Sequence, residues 1–195
     1  ICNQIHLPLQ AGSSRILKRM NRTYTKEEFL TLVDLIRQYI PDCALTTDII
    51  VGFPGETEEE FQETLEVVSK VRFDTAFMFK YSERPGTKAS NYTDQISEDV
   101  KQSRLQTLIE FQHKISLMNN RRRIGLNLDV IIEKESKRSD NQWAGRIEAN
   151  CWVIFDKKDD YKIGDLVNVN IIDAKGISLF GKINKVCTFE SFKAS

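Results

Sequence analysis

Hydrophobic positions follow two rhythms along the chain, and the change from one to the other divides it. Through residue 120, short apolar runs alternate with stretches where apolar residues recur every three or four positions, the spacings of strands and helices. The clearest run covers residues 48–52, where Ile49, Ile50 and Val51 are contiguous and β-branched, as in a parallel strand covered on both faces. Gly52 and Gly55 then bracket Phe53 and Pro54 in a tight turn whose backbone a ligand can approach without meeting a Cβ. Thr57 with Glu60 forms a capping box, and Glu58 and Glu59 match the positive end of the helix dipole. That helix offers Phe61, Leu65, Val68 and Val71 to a core.

The same reading applies on either side. Residues 5–9 form a short strand before the turn AGSS, and residues 11–22 a helix with Ile16, Leu17 and Met20 on its apolar side. Thr25 with Glu28 is a second capping box, opening a helix that buries Phe29, Leu32, Val33 and Ile36 before Pro41. Residues 73–81 form a third strand, closed by SERPGT, and residues 97–120 a long helix with Leu108, Phe111, Ile115 and Met118 on one side. Strand ends near Gln10, Gly52 and Tyr81 thus recur about every 30 to 40 residues with helices between, the rhythm of parallel βαβ units. Their trailing loops, QAGSS, GFPGET and YSERPGT, share one face and line one pocket. Three strands leave open sheet edges, so further strands are expected upstream of Ile1 and the chain reads as a fragment.

From residue 124 the period becomes two. LDVIIEK, WAGRIEA, CWVIFD, DLVNVNIIDA and ISLFGKI predict a small closed barrel of oligonucleotide-binding type. The fold class is therefore α/β followed by a small all-β barrel.

Charge changes this picture modestly. The formal net charge is zero, yet residues 1–120 carry 14 Lys and Arg against 17 Asp and Glu, whereas residues 121–188 carry 13 against 10. The boundary is the run Arg121, Arg122, Arg123, and the helix over residues 11–22 holds Arg15, Lys18, Arg19 and Arg22 with no acid. Such stretches suit either a phosphate backbone or a solvated face. In the barrel, Lys137, Arg138, Arg146, Lys175 and Lys182 are phosphate candidates, and Trp143 and Phe180 either stack bases or fill the core. Cys2, Cys43, Cys151 and Cys187 lie too far apart for a CxxC or CxxxCxxC motif, so no metal site is assigned within the chain. Their sparse use fits a reducing, cytoplasmic setting, and no apolar run is long enough to span a membrane. The glycine turn lacks the Lys-Ser/Thr of a phosphate loop, and Glu56 would repel phosphate. His6 reads as a packed histidine, and no paired general base is found, so no catalytic residue is assigned.

Taken together, HLPLQAGS, LKRMNRTYT, TTDIIVGFPGETEEEF and FKYSERPGT, followed by the five-stranded basic module, resemble the carboxyl-terminal part of the radical S-adenosylmethionine methylthiotransferases. SERPGT is more similar to the tRNA-modifying members than to the ribosomal-protein-modifying branch. The resemblance implies the last three βα units of a partial TIM-type barrel with a long linking helix over residues 1–120, a TRAM RNA-binding module over residues 121–188 and a tail over residues 189–195. It implies a transferase that installs a methylthio group on N6-isopentenyladenosine next to the tRNA anticodon. The alternatives are a threonylcarbamoyladenosine-modifying relative, an RNA-binding module without catalysis, and an unrelated TIM-type enzyme binding a sugar phosphate at GFPGET.

The implied cofactors are S-adenosylmethionine and two 4Fe-4S clusters, whose ligands would lie outside this chain and without which the fragment would be inactive. The implied partners are the anticodon stem-loop and an electron donor such as flavodoxin or ferredoxin; the sulfur donor is left open. By the same resemblance, Gly52, Phe53, Pro54, Gly55 and Glu56 would lie against the cofactor, with Gln10 and Ser13 at the previous strand end and Tyr81 and Ser82 at the next. Ala11 stands where the family pattern QSGS has a serine. Arg15, Arg19, Arg22, Arg84, Lys88, Arg121, Arg122, Arg123, Lys137, Arg138 and Arg146 are the RNA-facing candidates.

Overall fold

The run of β-branched residues forms β2, Ala44–Val51, the middle of a three-stranded sheet between β1, Gln4–His6, and β3, Thr75–Lys80. This computed structural model describes residues 3–137, 139–157 and 161–186. The expected tail, Cys2, Cys187 and Arg138 lie outside them. The chain divides into two compact units, one built on residues 5–115 and one containing residues 116–195 with the first four. Each has its own core.

In the first unit β2 and β3 are parallel, with Thr46 opposite Thr75 and Ile50 opposite Phe79. Alternation along β2 sends Leu45, Ile49 and Val51 to a fully buried face, while Asp48 and Ile50 are half-buried. Phe29 and Val33 of α2, Lys26–Tyr39, and Phe61, Val68 and Val71 of α3, Glu58–Val71, cover the buried face. Leu108 and Ile115 of α4, Glu98–Arg121, join the same core. Both capping boxes form as the sequence predicts.

Several boundaries differ from expectation. The strand at residues 5–9 shortens to β1, although the chain rejoins β2 at Gln10, whose amide donates to the Asp48 carbonyl (2.8 Å) and whose carbonyl accepts from the Ile50 amide (2.9 Å). The basic helix shrinks to α1, Ser14–Arg19, because Ser13 caps its start and Asn21 adopts φ 60° just past its end. Leu32 and Met118, expected in the core, are 44% and 50% exposed, because each helix packs along a narrower stripe than its apolar residues span. His6 is exposed rather than packed: Nδ1 lies 3.0 Å from Thr46 Oγ1 and Nε2 3.4 Å from Asp48 Oδ2.

In the second unit the period-two segments become β4, Asn127–Ser136, β5, Ser139–Arg146, β6, Trp152–Asp156, β7, Leu166–Lys175, and β8, Ser178–Val186. They close into a barrel in the order β4-β5-β6-β8-β7, which leaves no free edge. Val130, Ile132, Val153, Phe155, Val167, Val169, Ile171 and Leu179 fill it. Trp143 joins that core, while Phe180 stays half-buried with Lys175 Nζ 5.5 Å from its ring centroid. Among the described residues, no helix is long and apolar enough to cross a membrane.

Candidate functional site

The turn after β2 owes its shape to two glycines in the left-handed region, Gly52 at φ 71° and Gly55 at φ 75°. Their role differs from the expected one. A Cβ on Gly52 would lie 2.4 Å from Lys101 Cγ, and one on Gly55 2.2 Å from Asp94 Oδ2. The missing side chains therefore admit other parts of the protein, not a ligand. Gly55 also donates its amide to the Asp94 carbonyl at 2.8 Å. We expect Gly55→Ala to lower the unfolding free energy by more than the roughly 1–2 kcal/mol of a left-handed L residue, because its Cβ also displaces the Asp94 carboxylate, as read by chemical denaturation.

Glu56 turns inward. Its Oε2 accepts the Gly52 amide at 2.6 Å and Arg104 Nη1 at 2.9 Å, and burial pushes its pKa up against those two favourable contacts. Arg104, on α4, also donates to the Glu56 carbonyl at 3.0 Å, so one guanidinium holds both the side chain and the backbone of the turn. Beside it, Lys101 donates to Glu98 at 2.8 Å and lies 5.5 Å from the Tyr81 ring centroid.

Glu60 organises the other side. It accepts Ser13 Oγ (2.8 Å), Arg15 Nε (2.7 Å), Arg15 Nη2 (2.5 Å) and the Thr57 amide (2.9 Å). Burial opposes ionisation of this carboxyl, but the hydrogen bonds from Arg15, Thr57 and Ser13 outweigh it and hold the pKa at about 2. Ser13 is thus occupied as a helix cap and a Glu60 donor. Gly12, unremarked in the sequence, lets α3 approach: its amide donates to Thr64 Oγ1 at 2.9 Å.

In front of these contacts, at the carboxyl ends of the three strands, lies a cleft of about 820 Å³. Gln10, Phe53, Tyr81 and Ser82 line it, together with Asp48 and Ile50, and Arg22, Arg84 and Lys88 also contribute. The three predicted loops therefore do meet at one pocket. Ser13, Gly52, Pro54, Gly55 and Glu56 are not among its lining residues; they form the support behind Phe53. Phe53 packs edge-on against Tyr81, with centroids 5.1 Å apart, and Tyr92 meets Phe53 at 6.4 Å. Burial pushes the Tyr81 phenol pKa up. Gln10 holds a strained φ of 67°, and its Oε1 accepts Arg22 Nη2 at 3.1 Å.

Arg15 and Arg19, both RNA-facing candidates, also have acidic partners within the protein. Arg15 bonds Glu60 and the Gly55 carbonyl, the latter at 2.5 Å. Arg19 donates twice from Nη2 to Asp94, at 2.8 and 2.9 Å, and lies over the Tyr92 ring at 4.5 Å. These arginines tie α1 to the turn. Sequence reasoning missed Asp48, although its place on the less buried face of β2 follows from alternation, and it missed Arg104, for which no local signal exists.

In the second unit Arg121 and Arg122 are exposed, while Arg123 donates to Asn120 Oδ1 at 3.0 Å. Lys137 is exposed in the turn after β4. Arg146 donates to Asn150 Oδ1 at 2.5 Å and sits 3.6 Å from Glu133.

Comparison with known families matches residues 1–68 to the Radical SAM superfamily and residues 121–183 to the TRAM domain. Among curated relatives, tRNA-2-methylthio-N(6)-dimethylallyladenosine synthase of Christiangramia forsetii is 49% identical over 183 residues, which cover 93% of this chain and 38% of that protein. The protein of the same name from Acetivibrio thermocellus is 51% identical over 94% of this chain and 38% of its own length. Along more than nine tenths of its length the chain is similar to these synthases, with a Radical SAM match ahead of a TRAM match. It spans about two fifths of the length of these methylthiotransferase relatives. Coproporphyrinogen III oxidase from Escherichia coli, a radical SAM enzyme, matches 80% of the chain with a TM-score of 0.50 at 19% identity, a likeness of fold alone. The sheet thus has the fold of part of a radical SAM barrel and the closed five-stranded unit matches a TRAM domain.

Proposed function

We propose that this chain forms the cofactor-flanking sheet and the RNA-binding module of an enzyme that adds a methylthio group to N6-isopentenyladenosine beside the tRNA anticodon. The observation that carries this reading is about 50% identity, along more than nine tenths of the chain, to relatives that bear that activity in their name. The cleft at the strand ends supports it.

The lining suits S-adenosylmethionine. An aromatic wall of Phe53 and Tyr81 offers an adenine a face to pack on, and Asp48 offers an acceptor to a ribose hydroxyl or an ammonium group. The strained backbone of Gln10, with its amide steered by Arg22, is the kind of local cost that persists at ligand sites. S-adenosylmethionine held by these lining residues would supply radical and methyl-transfer chemistry. The iron-sulfur clusters and their cysteine ligands are assigned to sequence outside this chain, and the electron donor is a flavodoxin or ferredoxin.

In this reading Ser13, Glu56 and Glu60 hold the turn that presents Phe53 rather than touching the cofactor. Arg22, Arg84 and Lys88, among the cations that line the cleft, meet RNA phosphates, and Arg121 and Arg122 extend that role in the TRAM domain. The compartment is the cytoplasm, where the tRNA is.

The test is mass analysis of nucleosides from tRNA incubated with the intact protein, S-adenosylmethionine, sulfide and a low-potential reductant. A methylthio gain on isopentenyladenosine is the expected result. A gain on threonylcarbamoyladenosine instead would move the substrate, and tight tRNA binding with no modified nucleoside would reduce the function to RNA binding.

A further inference from the structure

The TRAM barrel carries an aromatic residue that the sequence reading did not select. Trp152 opens β6 and is only half-buried, in contrast to Trp143, whose ring belongs to the barrel core. Pairing of β5 with β6 sets Trp152 opposite Arg146. Arg146 Cζ and, from β4, Lys134 Nζ each lie 4.2 Å from the Trp152 ring centroid. An indole on a barrel surface, in cation–π contact with two side chains from β4 and β5, combines a π surface for a base with charges for its phosphates.

We propose that Trp152 is a stacking platform for an unpaired RNA base, with Arg146 and Lys134 holding the flanking phosphates. The inference rests on the reading of the chain as part of a tRNA-modifying enzyme, and it adds a specific contact to the TRAM module. The barrel interior does not need Trp152: Val153 and Phe155, on the alternate positions of β6, fill it. An acidic protein surface would use the two cations but gain little from the ring, so the indole favours RNA. Arg146 is held in the free protein by Asn150 Oδ1, which accepts from Nη1 at 2.5 Å, and by Glu133, 3.6 Å from Nε. On RNA binding Arg146 exchanges its Asn150 and Glu133 contacts for a phosphate, and the ring surface it covers becomes available to a base.

The experiment measures binding of an unmodified anticodon stem-loop RNA to the intact protein as salt is varied. Trp152→Ala is expected to weaken binding about 5- to 150-fold, the range for one lost base stack, with the salt slope unchanged. Trp152→Phe should keep much of the affinity. Arg146→Gln should instead lower the salt slope by about 0.7, one single-strand phosphate contact. RNA should quench part of the tryptophan fluorescence of the wild-type protein, and Trp152→Phe should abolish that quench while still binding. This second readout decides the matter if the alanine variant folds poorly. Wild-type affinity in a folded Trp152→Ala protein, or a quench that survives in Trp152→Phe, overturns the inference. Failure of the wild-type protein to bind the stem-loop at all would instead overturn the tRNA reading on which it rests.

Discussion

Arg104→Met is expected to lower the unfolding free energy of the sheet unit by about 3–5 kcal/mol, the usual cost of leaving a buried charge without its partner. Glu56 and Arg104 have side chains 1% and 8% exposed, so solvent cannot replace the lost contact. The guanidinium also binds the Glu56 carbonyl, so the glycine turn loses its anchor and Phe53 its backing. Glu56→Met together with Arg104→Met should recover only part of the loss, because the apolar pair removes both charge desolvation costs but leaves the Gly52 amide without its acceptor. The pH dependence has a definite sign. Burial already raises the Glu56 pKa above 4.5, and losing Arg104, which lowers it, raises it further. A carboxyl with a raised folded-state pKa adds stability at low pH and loses it as pH rises through the folded value. The deficit of Arg104→Met is therefore largest near neutrality and shrinks as pH falls toward 4.5, as measured by urea unfolding at a series of pH values. A deficit that does not depend on pH would mean that Glu56 is not ionised in the wild-type fold.

Glu60→Gln has the second largest expected effect and the opposite pH behaviour. The folded pKa of about 2, against 4.5 for an ordinary glutamate, corresponds to about 3 kcal/mol. A depressed carboxyl contributes that stability above 4.5 and loses it as pH falls toward 2. The difference between wild type and Glu60→Gln should thus be constant at neutral pH and close on acidification. Half of the Arg15 side chain is exposed, so added salt should reduce the difference somewhat. Cofactor binding should weaken with it, since Glu60 joins Ser13, Arg15 and the Thr57 amide behind the cleft.

These two carboxylates show how sequence and tertiary structure divide the work. Glu60 was legible as a capping residue because its partner Thr57 is three positions away, within one helical turn. Its other role, accepting from Arg15 across 45 residues, was not. Glu56 looked like a group poised at a ligand turn, and its actual partner lies 48 residues on. Arg19, an RNA-facing candidate, has an acidic partner, Asp94, 75 residues on. Trp152 was overlooked because its two cations come from other strands of the barrel.

What the sequence determined by itself was everything encoded within a few residues: the two capping boxes, the strand, turn and helix around Gly52, and the change of period near residue 124. Those features depend on φ/ψ preferences and on side chains one turn or one pleat apart, so a local pattern suffices to specify them. Only the tertiary structure decided which residues of a loop face the cleft and which face the protein. The glycines of the turn illustrate the reason. Their positive φ is a local property, but whether the open side meets a ligand or meets Lys101 and Asp94 depends on packing of segments about 40 to 50 residues away, which pairing and burial set together.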